Sequence, residues 1–574
     1  MSDTIQITIL QQDAGSGSDM RPESQREINV THDTSETLMS TLLKNQLVCG
    51  DFCGGTGKCQ RCRVRFLEAA PLPTNTERIV FTPDELRKGY RLACMARPKN
   101  SCVICLDFIQ SRKMDIITDM MVLSEKVDCK GQIGYIIAVD LGTTTIAMQL
   151  MDLESGHVLD TYCVLNPQRR YGADVLSRIQ AANTGAAENL RDSVWEVLRA
   201  GAEKLYQAVR CAHPLHCMCI AGNTTMEHLL MGLSTETLGR SPFTPVEIGF
   251  QESFLRIPSM ADQPLPVYLV PGISTFVGGD IVAGLYCCHL LASQDFLSPQ
   301  HDQIGQGMQP LQESRPQENQ RQESRPQESQ RQESQQQESQ QQESQWQESR
   351  PQESRQQQSC QQSEPGATLF IDLGTNGEMA ITDGRRMIVT ATAAGPAFEG
   401  GAGTSVHGSD MIAITASLLE QGIIDGTGLL QEPYFTSGVT VPVPGAKETV
   451  HLKQKDIRDL QMAKAAVRAG VEILYEKMRC PVISRVYLAG GFGYYLNVEA
   501  AITIGLLPEH VREATKAVGN TSLAGAFMIG RDLIMQHLHK EALERCLGYI
   551  ESLNLAGQEG FEQLYLTNLH LRLC

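Results

Sequence analysis

The run CGGTGKCQRC, residues 53–62, holds three cysteines and three glycines in ten positions. The spacing is Cys53-x5-Cys59-x2-Cys62, and a fourth cysteine, Cys94, stands in YRLACMARP. Two cysteines two apart can grip one metal, the preceding loop brings in a third, and a distant fourth closes the site. Gly54, Gly55 and Gly57 let backbone N–H groups turn toward sulfide without Cβ clashes. The first gap is one residue longer than in the C-x4-C-x2-C…C arrangement that holds a [2Fe–2S] cluster. Zinc is the competing occupant, but structural zinc sites usually come as two paired knuckles, and Cys94 has no CxxC mate. The spacing therefore favours a [2Fe–2S] centre on Cys53, Cys59, Cys62 and Cys94.

Other thiols read as structural. Cys49 lies just upstream of the loop. Cys102 and Cys105 form a CxxC inside the alternating SCVICLDF, which predicts a strand. CAHPLHCMC, residues 211–219, has ligand-type residues but no partner pair at suitable spacing, so it reads as a loop entering a buried strand.

A second chemistry is written in VDLGTTT and IDLGTNG. Each ends an apolar run with an aspartate, a glycine and hydroxyls. Gly142 and Gly374 let the backbone approach phosphate oxygens, and Thr143, Thr144, Thr145 and Thr375 can donate to them, with Asn376 and Gly377 completing the second turn. Asp140 and Asp372 can hold Mg2+ directly or through water. One such turn would say little, because hairpins use the same residues; two say more. In RVYLAGGFGYYLN, Gly490, Gly491 and Gly493 follow another apolar strand, where a base or ribose can lie on bare backbone. Asp280 in FVGGDIVAG and Asp174 in YGADV are candidate acids, for proton transfer or for positioning Mg2+ or water. None of these turns is a Walker A loop or a GxGxxG fingerprint.

The elements that carry these residues fall into blocks. Residues 1–110 hold TIQITIL, REINV, the helix-like SETLMSTLLKNQL, CRVRFL and SCVICLDF, a small α+β unit. The strand–DLGT–strand construction opens 135–299 and again 366–574, an internal repeat that predicts two similar α/β lobes across a cleft. Between them, residues 312–356 are nine consecutive pentads of the QESRP kind. Period five matches neither helix nor strand, and Trp346 is its one large apolar residue, so 300–365 is expected to be a disordered insertion. Residues 111–134 are expected to be a linker. The 574-residue chain has a formal charge of −17, which argues against a nucleic-acid surface as the main partner. No signal peptide or membrane span is evident, and 18 cysteines in such a chain suit a cytoplasmic protein with thiols and metal ligands.

The order DLGTTT, DLGTNGE, AGGFG resembles the acetate and sugar kinase, heat-shock protein 70 and actin superfamily, and the cysteine loop resembles plant-type ferredoxins with their β-grasp fold. The combination, with NPQRRYGADVLSRI, AGNTTMEHLL, GPAFEGG and DIRDLQMAKAAVRAG, resembles the reductive activators of corrinoid proteins. The insertion is not part of that family pattern. The resemblance implies an α/β chain: a β-grasp [2Fe–2S] ferredoxin domain, then a two-lobed actin-like ATPase. It implies ATP, Mg2+ and the cluster as cofactors. Asp140, Asp372 and Asp280 would be catalytic, and the glycine and threonine turns would hold ATP. The implied activity returns cob(II)alamin on a partner corrinoid protein to cob(I), fed by a low-potential electron donor. A homodimer is compatible with this, and neither nucleic acid nor membrane is expected as partner.

Such a transfer is uphill. Plant-type clusters sit near about −400 mV and reduced corrinoid is a stronger reductant still. Each 100 mV of one-electron deficit costs about 2.3 kcal/mol. ATP can cover such a gap by favouring one conformation over another. The rival readings are a metabolite kinase with a regulatory ferredoxin, an ATP-dependent activator of a radical dehydratase, and a redox-sensing scaffold without ATPase activity.

Overall fold

Alternation sets the N-terminal sheet. Ile7 and Ile9 are fully buried, while Gln6 and Thr8 between and beside them face the other way and hydrogen-bond across the strand pair to Thr31 and Asn29. The computed structural model describes residues 4–12, 25–45, 62–105, 132–172, 174–210, 212–260, 263–291, 366–374, 376–395, 408–444, 449–490 and 496–571. Cys53, Cys59, Thr375, Gly491 and Gly493 lie outside these residues, as do Cys49, Cys211, most of the 111–134 linker and the 300–365 insertion.

Strands β1 (Thr4–Gln12), β2 (Gln25–Asp33), β3 (Arg63–Glu68), β4 (Tyr90–Leu92) and β5 (Cys102–Cys105) form one sheet in the order β2-β1-β5-β3-β4. β1 and β5 run parallel and the remaining neighbours antiparallel. The helix Leu38–Lys44 contributes Leu38, Met39 and Leu42 to the core beneath the sheet. This is the β-grasp arrangement expected for the first block. Cys102 and Cys105 lie in the strand that the alternation predicted, both are buried, and burial pushes the Cys102 thiol up to about 11.

The internal repeat is visible in two six-stranded sheets. The first uses β6 (Tyr135–Leu141), β7 (Thr145–Asp152), β8 (Val158–Leu165), β9 (Leu215–Gly222), β10 (Gln251–Leu255) and β11 (Leu265–Leu269), in the order β10-β11-β9-β6-β7-β8. In the second half come β12 (Ala367–Leu373), β13 (Gly377–Thr382), β14 (Met387–Thr392), a separate hairpin β15 (Val439–Pro442) and β16 (Thr449–Leu452), then β17 (Ile483–Ala489), β18 (Thr515–Gly519) and β19 (Glu551–Asn554). Their sheet runs β18-β17-β12-β13-β14-β19. In each sheet an aspartate-bearing strand, β6 or β12, lies between a parallel strand and an antiparallel hairpin partner.

Parity then decides where the aspartates point. Tyr135, Ile137, Val139 and Leu141 of β6 face an outer core, whereas Ile136 and Ala138 face a core shared by both sheets. Asp140 has the parity of the second set. In β12, Leu369, Ile371 and Leu373 face the other outer core and Phe370 the shared one, so Asp372 also points inward. Four helices pack around these strand ends: α1 (Thr224–Met231), α2 (Gly279–Cys287), α3 (Gln454–Lys477) and α4 (Thr521–Ile534). α2 and α4 fill the shared layer. α4 packs on α2 and also on β6 and β9, so a helix from the second half of the chain covers the first half's sheet. Among the described residues, no helix is long and apolar enough to cross a membrane.

Candidate functional site

Cys62 immediately precedes β3 and Cys94 follows β4 by two positions. These strands are antiparallel with Arg63 opposite Leu92, and Ala93 N–H donates to the Cys62 carbonyl at 2.8 Å. The pairing brings Cys62 Sγ to 3.2 Å from Cys94 Sγ, both buried. That is well beyond the roughly 2.05 Å of a disulfide. Two adjacent buried sulfurs that no disulfide joins suit one metal of a cluster. They are the two members of the expected ligand set that the structure describes.

The second site is acidic. Asp140, Asp280 and Asp372 converge on the shared layer, where Asp140 acts on both of the others and Asp280 on Asp372. Burial, with Asp140 beside it, pushes Asp280 up to about 7. Burial, with Asp280 and Asp140 nearby, pushes Asp372 up to about 8. Two further carboxylates join them. Glu227 on α1 and Glu378 on β13 are buried and held well above the usual carboxylate range, by burial first and then by Asp280, with Asp372 adding to it for Glu378. Asp140 is also raised by burial, but Asn520 Nδ2 and Ser522 Oγ donate to its two oxygens at 2.9 and 3.0 Å and offset part of the rise. Five desolvated like charges disfavour one another, and a cation brought in with a polyphosphate would relieve them. Among the described residues no three His, Cys, Asp or Glu side chains form a metal cage. The donor set instead fits Mg2+, which keeps several waters and commonly takes one or two carboxylates plus phosphate oxygens.

The first turn is held from outside. Asn166 donates through Nδ2 to the Gly142 carbonyl at 2.8 Å and through its backbone N–H to the Thr144 carbonyl at 2.9 Å. Asn223 Nδ2 donates to Thr143 Oγ1 at 3.0 Å, which leaves that hydroxyl's own proton for an acceptor in the cleft. Thr145 opens β7 at the exit of the turn. In the second turn Gly374 N–H donates to the Asn376 carbonyl at 2.9 Å, and the Asn376 side chain hydrogen-bonds Glu378. Gly377 faces outward: a Cβ there would lie 2.8 Å from Val467 Cγ2 of α3. That face leaves no room for a side chain, and Glu378, one residue on, is the group that enters the cleft. Gly490 has φ +83°, and a Cβ on it would lie 2.3 Å from Asp372 Oδ1.

Residues 135–293 match the family model described as RACo middle region, and 366–405 with 403–573 match the C-terminal domain of RACo, the ASKHA domain. Together they take in more than half of the chain, and 22–99 match the 2Fe-2S iron-sulfur cluster binding domain. The chain belongs to the RACo family. This is the reductive-activator family that the motif order resembles. Corrinoid activation enzyme RamQ of Eubacterium limosum is 26% identical over 456 residues, 68% of this chain and 63% of that protein. The chain thus spans under two thirds of that relative. A [Co(II) methylated amine-specific corrinoid protein] reductase of Methanosarcina barkeri is 23% identical over 263 residues, 36% of this chain and 46% of that one. The solved reductive activator for corrinoid, iron-sulfur protein shares the fold at TM-score 0.54, with 21% identity over 99% of this chain and 98% of that chain.

In this RACo chain, Asp140, Asp372 and Asp280 come together, with Gly142, Thr143, Gly374 and Gly490 around them. Asp174 takes another part. It caps the helix Val175–Ala181, accepting from Ser177 N–H at 2.7 Å. CAHPLHCMC behaves as loop and strand: Cys217 and Cys219 are buried in β9, the His213 ring rests on Tyr135, and His216 Nε2 meets the Ile133 carbonyl. Sequence reasoning missed Glu227, Glu378, Asn223, Asn520 and Ser522. A signal existed, because GNTT at 222–225 and GNTS at 519–522 are a second internal repeat.

Proposed function

We propose that this chain is an ATP-dependent reductive activator that restores cob(I)alamin on a partner corrinoid protein. One observation carries the reading. A buried pair of thiols in a ferredoxin fold and a desolvated carboxylate cluster in an actin-like fold occur on one chain of the RACo family. A bare electron carrier needs no nucleotide cleft, and a bare kinase needs no thiol site. When bound, a [2Fe–2S] group on Cys53, Cys59, Cys62 and Cys94 supplies single electrons at low potential.

The chain's own residues do the rest. The turns at 142–145 and 374–377 present N–H and hydroxyl donors to the phosphates of ATP. Thr375, Gly491 and Gly493 belong to the same nucleotide set. Asp140 and Asp372 would hold Mg2+, which would supply charge stabilisation on the phosphates, and Asp280 would orient the attacking water. Because ATP bridges two sheets that share one helical layer, binding and hydrolysis select between arrangements of that layer and so change how the partner is held.

The test mixes chemically reduced protein, a cob(II) corrinoid protein and MgATP, and follows cob(I) by its absorbance. Signal that needs ATP and disappears in Cys62→Ser supports the reading. Equal cob(I) formation without ATP, or phosphorylation of a small molecule instead, overturns it.

A further inference from the structure

The two GNT(T/S) runs follow different strands, β9 beside β6 and β18 beside β17, yet perform the same two tasks. Asn223 caps α1, its Oδ1 accepting from Met226 N–H at 3.0 Å; Asn520 caps α4, its Oδ1 accepting from Leu523 N–H at 2.9 Å. Each directs its amide NH2 toward the first turn or the aspartate that precedes it. Asn223 donates to Thr143, whereas Asn520 reaches across to Asp140 Oδ2. Ser522, two residues into α4, donates to Asp140 Oδ1. Both oxygens of Asp140 are thus fixed by a helix that follows β18 of the second sheet, while the aspartate stands on β6 of the first.

We propose that Asn520 and Ser522 are positioning residues that orient the Asp140 carboxylate for nucleotide hydrolysis and make that orientation depend on α4 being seated between the two sheets. The proposal rests on the reading of the cleft as an ATPase site. A carboxylate with each oxygen held by a separate donor keeps one rotamer. Without the donors it is free to turn among the neighbouring acids, and misplacement of about 1 Å in such a constellation costs on the order of 100-fold in rate. The donors come from α4, so a shift of α4 against β6 releases Asp140. That gives the second half of the chain control over the first turn without any contact to the phosphates.

At Asn520 capping uses Oδ1 and positioning uses Nδ2. Asn520→Asp keeps the cap acceptor and loses the donor; Ser522→Ala loses one donor and Ser522→Thr keeps the hydroxyl. The full chain is assayed for MgATP turnover, for MgADP affinity by calorimetry and for melting temperature. Asn520→Asp is expected to lose about 100-fold in kcat with KM and MgADP affinity within about threefold, and to melt below the unaltered chain above neutral pH, because it sets a further buried carboxylate against Asp140. Ser522→Ala is expected to lose about tenfold, and Ser522→Thr to recover to within about twofold. Unaltered kcat in Asn520→Asp, or a loss in Ser522→Ala that threonine does not rescue, overturns the proposal while leaving the ATPase reading intact. Failure of the unaltered chain to bind or turn over MgATP overturns both.

Discussion

Gly490 and Asp372 lie so close that a side-chain carbon on the glycine would sit 2.3 Å from the aspartate's Oδ1. The glycine also holds φ +83°, a conformation that costs an L-residue about 1–2 kcal/mol. The end of β17 is therefore shaped around the carboxylate at the end of β12, where Asp372 and Ala489 are parallel partners. Gly490→Ala is expected to push Asp372 aside. MgATP turnover should fall at least as far as in Asp372→Ala, and the melting temperature should drop by a few degrees, roughly 4 °C per kcal/mol. Normal turnover in Gly490→Ala would show that the fit is incidental.

The thiol pair predicts a separable phenotype. Cys62→Ser removes one of two sulfurs held 3.2 Å apart, so iron, sulfide and visible absorption should be lost together. The ATPase half has its own cores, distinct from the one beneath the ferredoxin sheet. Its nucleotide affinity should be unchanged within about twofold, as for independent sites. Metal analysis and calorimetry on the same preparation check this, and stoichiometric zinc without sulfide would refute the cluster.

The acid cluster predicts a stability slope. Asp280 at about 7 and Asp372 at about 8 bind protons more tightly folded than unfolded, facing Asp140, Glu227 and Glu378. Their contribution is fully present below the ordinary carboxylate range and is lost as pH rises through about 7 to 8. Without nucleotide or Mg2+, the melting temperature should therefore fall as pH rises over that range. Asp372→Asn should flatten the slope at its alkaline end, and saturating MgATP should flatten it in the native chain. A melting temperature that climbs across the same interval would contradict the arrangement.

Glu378→Gln tests the carboxylate that the second turn delivers. The amide matches the shape of the buried acid and removes a like charge from beside Asp280 and Asp372. Stability above neutral pH should be equal or higher, while MgATP turnover should fall by on the order of 100-fold. Gly377→Ala, by contrast, should act through packing against Val467 and lower the melting temperature. Full turnover in the Glu378→Gln chain would make the glutamate a core residue only.

Much of this was determined by the sequence itself, because it depends on short-range pattern. Cysteine spacing named Cys62 and Cys94, alternation in TIQITIL and SCVICLDF marked strands of their sheet, and the DLGT repeat identified Asp140 and Asp372 at equivalent strand ends. Period-two alternation even implies that both aspartates leave their outer cores. Tertiary structure decided what meets them. That Gly377 turns outward while Glu378 turns in depends on which face of β13 meets α3. That Glu227 joins the cluster depends on α1 meeting the first turn of α2, where a Cβ on Gly279 would lie 2.5 Å from Glu227 Oε1. The partnership of Asn520 with Asp140 joins positions 380 apart. It exists because α4, which follows a strand of the second sheet, lies on the first. Local propensity fixes a helix and its cap; only burial of α4's apolar residues in the shared layer fixes which carboxylate the amide of that cap will find.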